Sequence, residues 1–413
     1  MENFMNKFEE KLGPIAAKLS SNRYLNAIQA GFLVAMPLVV IGSLLLVIAL
    51  VPIPAISSFF ASTGIQGFLL KYNGAATDII GIFVLAGLVD NLAKTYKLDR
   101  IATVAIAISG YLVLTEVSFG SFGSANLFLV MFVGIASTEI VRFVIEKNWT
   151  IKMPEAVPEA VSASFTALIP AFVSITVMNI IRAIFALTSF GTAANFINTV
   201  VQMPLLKLGG TLPAVLIFIF FEMTLWSFGI HGSNIVGAVF SPIFTALTIE
   251  NQQAVAAGLT PTNVINAQFY QNFVRLGGAG ANLGLALVMF LFARSLRYKQ
   301  LARLAIGPLA FQVNEPVIFG FPLVMNPIMM IPFIFGPMVI AIICYVAMKT
   351  GIVPCTNGAN IPWNTPPVVS GFILCGWRGL LLQLVCLGVN ALCWLPFFMI
   401  EDRKAYKEEQ GEI

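Results

Sequence analysis

The chain has 413 residues, 58% of them hydrophobic and 10% charged, with a net charge of +4 and a mean hydropathy of +0.89. A soluble domain carries roughly a quarter charged residues, so these values exclude a soluble enzyme and point to an all-α, polytopic membrane protein. The positive balance fits basic loops at a membrane face better than a nucleic-acid surface, so the expected partners include lipid but no nucleic acid.

In chain order, Met1 to Arg23 is charged and lacks an apolar stretch, so no cleaved signal peptide is expected. Spanning helices need about 20 mostly apolar residues, and runs that qualify cover Ala27–Leu50, Ala76–Lys94, Ile101–Glu116, Leu127–Lys147 and Ser164–Leu187. Lys94, Lys97 and Arg100 cluster in one connection and Arg142, Lys147 and Lys152 in another. The turns between are poor in base: 51–75 holds only Lys71 and 117–126 holds none. The positive-inside rule then places the N-terminus in the cytoplasm and the end of the fifth helix outside. Residues 1–187 thus read as a five-helix N-terminal half. Residues 188–211 read as a connecting, partly interfacial segment.

From 212 to 413 the pattern is less regular. Apolar runs cover Ala214–Ile230, Ile235–Ile249, Leu283–Leu296, Met325–Met348 and Leu380–Ile400. The basic stretch Arg294–Arg303 and the basic tail (Arg403, Lys404, Lys407) place both on the cytoplasmic side. With both termini inside the span number is even, and about ten fits. Residues 304–324 and 351–379 are broken by Pro308, Pro316, Pro322, Pro354, Pro362, Pro366 and Pro367. Irregular backbone at membrane depth is tolerated only where protein buries it or where it lines a wet cavity. These two stretches are expected to be re-entrant hairpins or loops around a polar substrate site.

Ionisable residues within apolar sequence are functional-site hypotheses by default. His231, the single histidine, ends the run Trp226-Ser-Phe-Gly229-Ile-His231-Gly232, where the glycines open the backbone. It reads as a ligand contact, against a buried imidazole bonded to a carbonyl. Glu315, in Asn314-Glu315-Pro316, reads as a carboxylate that bonds a hydroxyl or takes its proton, against one satisfied by a loop amide or by Arg275. Trp226 and Trp363 offer aromatic faces to a sugar ring, against interfacial anchoring. The run Arg275-Leu-Gly277-Gly278-Ala-Gly280-Ala-Asn282 is either an anion cradle or a close helix contact. Asn282 and Asn314 add amides to the candidate substrate-binding set, and Arg275 is a candidate phosphoryl contact. Glu222 is read evenly as site or structural partner. Glu139 with Arg142, and Asp90 with Lys94, read as structural pairs. The five cysteines, Cys344, Cys355, Cys375, Cys386 and Cys393, form no CxxC and read as small buried hydrophobes. One histidine excludes an HExxH zinc site, and no metal or cofactor is expected.

These residues alone leave two classes close: a group-translocating sugar permease, and an ion-coupled secondary sugar permease with His231 and Glu315 as a proton relay. A non-transporting surface receptor does not need such a polar cluster.

The motifs Trp226–Gly232, Asn314-Glu-Pro-Val-Ile-Phe-Gly-Phe-Pro322, Met325-Asn-Pro327 and Pro362-Trp-Asn-Thr-Pro366 resemble the lactose/cellobiose/diacetylchitobiose family of bacterial phosphotransferase-system enzyme IIC components. The opening, Lys11–Ala16 and Ala35–Ser43, is similar as well. The resemblance implies import of a β-linked disaccharide, of the diacetylchitobiose or cellobiose class, coupled to its phosphorylation. It implies a homodimer in the bacterial plasma membrane, with 1–187 as the dimerisation half and 212–413 as the sugar-binding half. It also implies that His231 and Glu315 bond the sugar near the hydroxyl to be phosphorylated. The phosphoryl donor would be the phosphocysteine of enzyme IIB, expected on a separate chain and charged by upstream phosphotransferase proteins. Asn364 stands where the family motif often has threonine.

Overall fold

The computed structural model describes Pro14, Lys18 and residues 21–49, 54–154 and 157–411. The similar opening at Lys11–Ala16 lies, apart from Pro14, outside them. Every regular element among the described residues is helical. Among the described residues, seven helices are long and apolar enough to cross a membrane, or nine if each of two bent helix pairs counts once. This is an all-helical membrane protein. The chain divides into two compact units, one of Leu19–Lys207 and the other of Leu208–Ile413 together with Met1–Lys18.

The unit ending at Lys207 holds α1 (Arg23–Ala49), α2 (Pro54–Thr63), α3 (Ile65–Thr77), α4 (Ile80–Thr95), α5 (Arg100–Leu114), α6 (Leu127–Glu146) and α7 (Glu159–Ala186). Its helices pack through small residues, as apolar helices do where lipid offers no contrast in polarity. A methyl group on Gly31 would lie 2.6 Å from the Val84 carbonyl oxygen, and one on Gly87 would meet Val34 at 2.8 Å, so α1 and α4 approach backbone to backbone. Gly134 of α6 receives Leu88, and Gly110 of α5 receives Met178 of α7. Asp99 caps α5, accepting from the Ala102 amide at 2.8 Å. At the far end of α6, Glu139 pairs with Arg142 at 2.8 Å and accepts from the hydroxyls of Tyr24 and Tyr96. Burial, and then the bond to Glu139, hold the Tyr96 phenol above the usual tyrosine range. The expected Asp90–Lys94 pair is corrected. Asp90 instead takes Arg100 in a two-pronged bond of 2.6 and 2.7 Å, because the α4–α5 turn brings the guanidinium fork to it. The segment 188–207 is helical over Ala193–Phe196 and continues as a π-helical turn over Ile197–Gln202.

The unit beginning at Leu208 holds α8 (Leu212–Ser227), α9 (Gly232–Ala256), α10 (Leu283–Phe292), α11 (Leu296–Ala310), α12 (Glu315–Gly320), α13 (Pro327–Lys349) and α14 (Val369–Gln410). Three boundaries depart from the sequence reading. The Leu283–Leu296 run stops at Phe292, because Ser295 caps a new helix by accepting from the Tyr298 amide. That helix, α11, runs through Pro308 to Ala310, so the proline-rich stretch 304–324 begins as ordinary helix. The other irregular stretch, 351–379, ends early, because α14 already starts at Val369 and absorbs Gly376 as a kink at φ 67°.

Candidate functional site

All candidate site residues fall in the unit that begins at Leu208. Gly229 ends α8 with φ 74°. Its amide donates to the Trp226 carbonyl and the Ile230 amide to the Leu225 carbonyl, both at 3.0 Å, which is a Schellman stop. α9 starts three residues later. A methyl group on Gly232 would lie 2.1 Å from the Glu222 carbonyl oxygen, so only glycine lets the returning chain press against α8. His231 is exposed at the rim of this turn. Its Nδ1 accepts from the Asn234 amide at 3.3 Å and its ring lies 4.3 Å from that of Trp226.

Behind the turn lies a buried charged group. Glu222 is 0% exposed. Its carboxylate accepts from the Tyr270 hydroxyl and the Ser233 hydroxyl, and lies 3.6 Å from Arg275 Nη1. Ser233 in turn accepts from the Trp226 indole N–H at 3.1 Å. A buried carboxylate needs several such partners. The result is a continuous polar chain from Arg275 through Glu222 and Ser233 to Trp226, whose ring holds His231.

Four more segments are tied to the end of α8 or to one another. The glycine run folds with Gly277, Gly278 and Gly280 all at positive φ. A methyl group on Gly278 would lie 2.8 Å from the Asn314 side chain and from the Gln312 carbonyl oxygen, and one on Gly280 would strike the Phe333 ring. The glycines therefore serve close packing. The Asn314 amide donates to the Ala279 carbonyl at 3.0 Å, which ties the glycine run to the start of α12. Glu315, the first residue of α12, is exposed. The Met325 amide donates to the Ser227 carbonyl at 2.8 Å, seating the loop after α12 on the end of α8. Gln312 reaches the Thr365 carbonyl at 3.4 Å, in the loop that carries Trp363, itself 50% exposed. Asn282 is buried with neither side-chain polar atom hydrogen-bonded, an unusual state for a buried amide.

Several residues here escaped the sequence reading. Gln383 of α14 accepts from the amides of Val368 (2.6 Å) and Gly371 (2.9 Å) and donates to the Asn272 carbonyl (2.7 Å) and the Ser370 hydroxyl (2.8 Å). Gln268 bonds Asn360 and accepts from Asn272, while Asn251 and Asn266 hold Thr356. This amide network fixes the 351–368 loop in the absence of regular structure. Its signal was the recurrence of polar residues at Asn263, Asn266, Gln268, Tyr270 and Asn272, which a search for apolar runs passes over.

The phosphotransferase system EIIC family matches residues 29–337. The cellobiose-specific EIIC component of Geobacillus stearothermophilus is 38% identical over 440 residues, covering 100% of this chain and 97% of that one. The lichenan permease IIC component of Bacillus subtilis is 38% identical over 425 residues, covering 97% and 94%. Among solved structures, the transporter ChbC, the IIC component from the N,N'-diacetylchitobiose-specific phosphotransferase system, superposes with a TM-score of 0.94 at 39% identity, covering 98% of this chain and 99% of that one. With the family match spanning every motif from α1 into α13, and full-length relatives well above 30% identity, the chain belongs to the phosphotransferase-system EIIC family.

Proposed function

We propose that this chain imports a β-linked disaccharide of the cellobiose or diacetylchitobiose class and holds it for phosphorylation by enzyme IIB. The observation that carries the reading is the convergence, within one unit of an EIIC chain, of the 227–232 turn, the glycine run, the start of α12 and the Trp363 loop. Exposed His231 and Glu315 sit on those segments as hydrogen-bonding groups for sugar hydroxyls. Half-exposed Trp363 supplies a flat apolar face, exposed Gly229 gives room for close approach, and Asn282 carries an amide with neither polar atom bonded. Trp226, expected to stack on the sugar, is instead buried against His231 and positions it, and Gly232 is buried against α8.

In the proposed chemistry a sugar hydroxyl oxygen attacks the phosphorus of an S-phosphocysteine on enzyme IIB. The O–P bond forms, the S–P bond breaks, and the cysteine leaves as a thiolate. Glu315, assisted by His231, orients the hydroxyl and takes its proton. Arg275, held by Glu222, faces the phosphoryl oxygens. The charged product cannot cross back. The same reading assigns about ten spans, two re-entrant segments in what the helices leave of the two proline-rich stretches (311–324 and 351–368), a dimer formed by residues 1–187, and a bacterial plasma-membrane protein with both termini cytoplasmic.

The test uses membrane vesicles holding the protein, labelled cellobiose or diacetylchitobiose outside, and phosphorylated enzyme IIB inside or omitted, with ionophores throughout. Phosphorylated sugar accumulating only with the phospho-partner is expected. Free sugar accumulating only when ionophores are left out would replace this reading with an ion-coupled permease using His231 and Glu315 as its proton path.

A further inference from the structure

α11 follows α10 after a three-residue turn, and its outer face has an unusual make-up. Tyr298, Ala302, Ala305 and Leu309 point inward and are buried, one turn apart. The opposite face carries Arg297, Lys299 and Arg303, with Arg294 just before the helix, and no acidic residue lies anywhere between Leu283 and Asn314. Among the described residues, none of these four cations is in an ion pair. Two carboxylates of α14 are taken up by backbone amides at the start of α11. Asp402 accepts from the backbone amides of Arg294 and Ser295, and Glu409 accepts from those of Leu296 and Arg297 at 2.9 Å. Between the two helices runs a groove of about 730 Å³ lined by Arg294, Arg297, Lys299, Tyr406 and Gln410, and by Glu409, whose carboxylate is taken up by the Leu296 and Arg297 amides.

Apolar residues are interleaved with the cations. Leu296 is 60% and Leu304 72% exposed on the same outer face. Phe290, Leu291 and Phe292, immediately before the turn, are exposed as well. We propose that the outer face of α11 and this groove bind the phosphate headgroups of anionic phospholipids at the membrane surface. Leucines set among arginine and lysine suit a headgroup–acyl boundary, where the apolar side chains enter lipid and the long cationic side chains reach up to phosphate. The run from exposed Phe290-Leu291-Phe292 through Ala293 to Arg294 places the cations at that depth. A site for a soluble acidic protein would leave those leucines in water whenever the partner was absent.

The binding has a consequence for the transport site. A methyl group on Gly320 would lie 2.7 Å from Leu301, so α12 rests directly on α11. Headgroups that seat α11 thereby set the position of α12 and of Glu315 at its start.

The full-length protein, purified in a mild detergent, is titrated with phosphatidylglycerol or phosphatidylcholine, and retained lipids are counted by native mass spectrometry. Wild type is expected to retain phosphatidylglycerol preferentially. The variant R294Q/R297Q/K299Q/R303Q should lose that preference by roughly ten-fold or more. The charge-conserving R294K/R297K/R303K should keep it, which separates a lost headgroup site from misfolding, and K147Q/K152Q should match wild type. Equal retention of the two lipids by wild type, or full preference in the glutamine variant, would overturn the proposal. So would release of the lipid by millimolar inorganic phosphate, which marks a site for free anion. A glutamine variant that keeps its lipid but loses phosphorylated enzyme IIB would also overturn it, by making the face a protein-docking surface.

Discussion

At Gly232 the nearest atom to an added methyl group would be the Glu222 carbonyl oxygen at 2.1 Å, whereas at Gly237, one turn and a half further along α9, it would be the Ser241 hydroxyl at 3.5 Å. Gly232→Ala is therefore expected to destabilise the protein by ~1–3 kcal/mol, the range for overpacking, while Gly237→Ala leaves thermal unfolding in detergent unchanged. Equal melting of the two variants would show that the turn yields. For the proposed chemistry, Glu315→Gln keeps a hydrogen-bonding side chain but cannot take a proton. It should retain sugar binding and lose phosphorylation by ~10²–10⁴-fold, and an unaltered phosphorylation rate would remove Glu315 as the base. Trp363→Ala should weaken sugar binding by about 1–3 kcal/mol, the scale of one aromatic anchor, measured by titration calorimetry. Unchanged affinity would reject stacking. At this scale much was legible in the sequence. A lone histidine and a proline-flanked glutamate in apolar surroundings announce themselves, because ionisable groups are costly there. Ser233 and Tyr270 were not legible, since neither is unusual until its hydroxyl is seen to satisfy buried Glu222.

Among elements, the 351–368 loop depends on a side chain of another segment. Gln383 ties the end of the loop at Val368, the first turn of α14 at Ser370 and Gly371, and the Asn272 carbonyl together with four hydrogen bonds. Gln383→Leu leaves those backbone groups buried without partners and should cost ~2–5 kcal/mol, several unsatisfied groups at 1–3 each. The check is a lower melting temperature together with faster proteolysis within 351–368, and wild-type values for both would refute the role. Asp402→Ala should loosen the start of α11 by ~1–3 kcal/mol through loss of a buried acceptor, read as faster amide exchange at Arg294 and Ser295. Apolar runs located most helices of both units, because length and hydropathy are local properties. They misplaced the ends of α10, α11 and α14, where a serine cap, a proline near a helix end and a glycine kink act. Prolines and glycines mark a break without saying whether the helix stops, bends or continues, since neighbouring groups can satisfy the freed backbone.

For the molecule as a whole, the dimer proposed through residues 1–187 predicts a particle of two copies in mild detergent by mass photometry. A single copy at every protein concentration would withdraw it. The sequence by itself determined an all-helical membrane protein and the EIIC family, because burial in lipid restricts composition so strongly that local patterns survive into the fold. Only the tertiary structure decided which polar groups meet. Glu222 with Arg275, Asn314 with Ala279, and Gln383 with Asn272 lie 53, 35 and 111 residues apart. The physical reason is that a buried polar group must find a partner of the right geometry wherever packing brings one, and sequence spacing does not encode that choice.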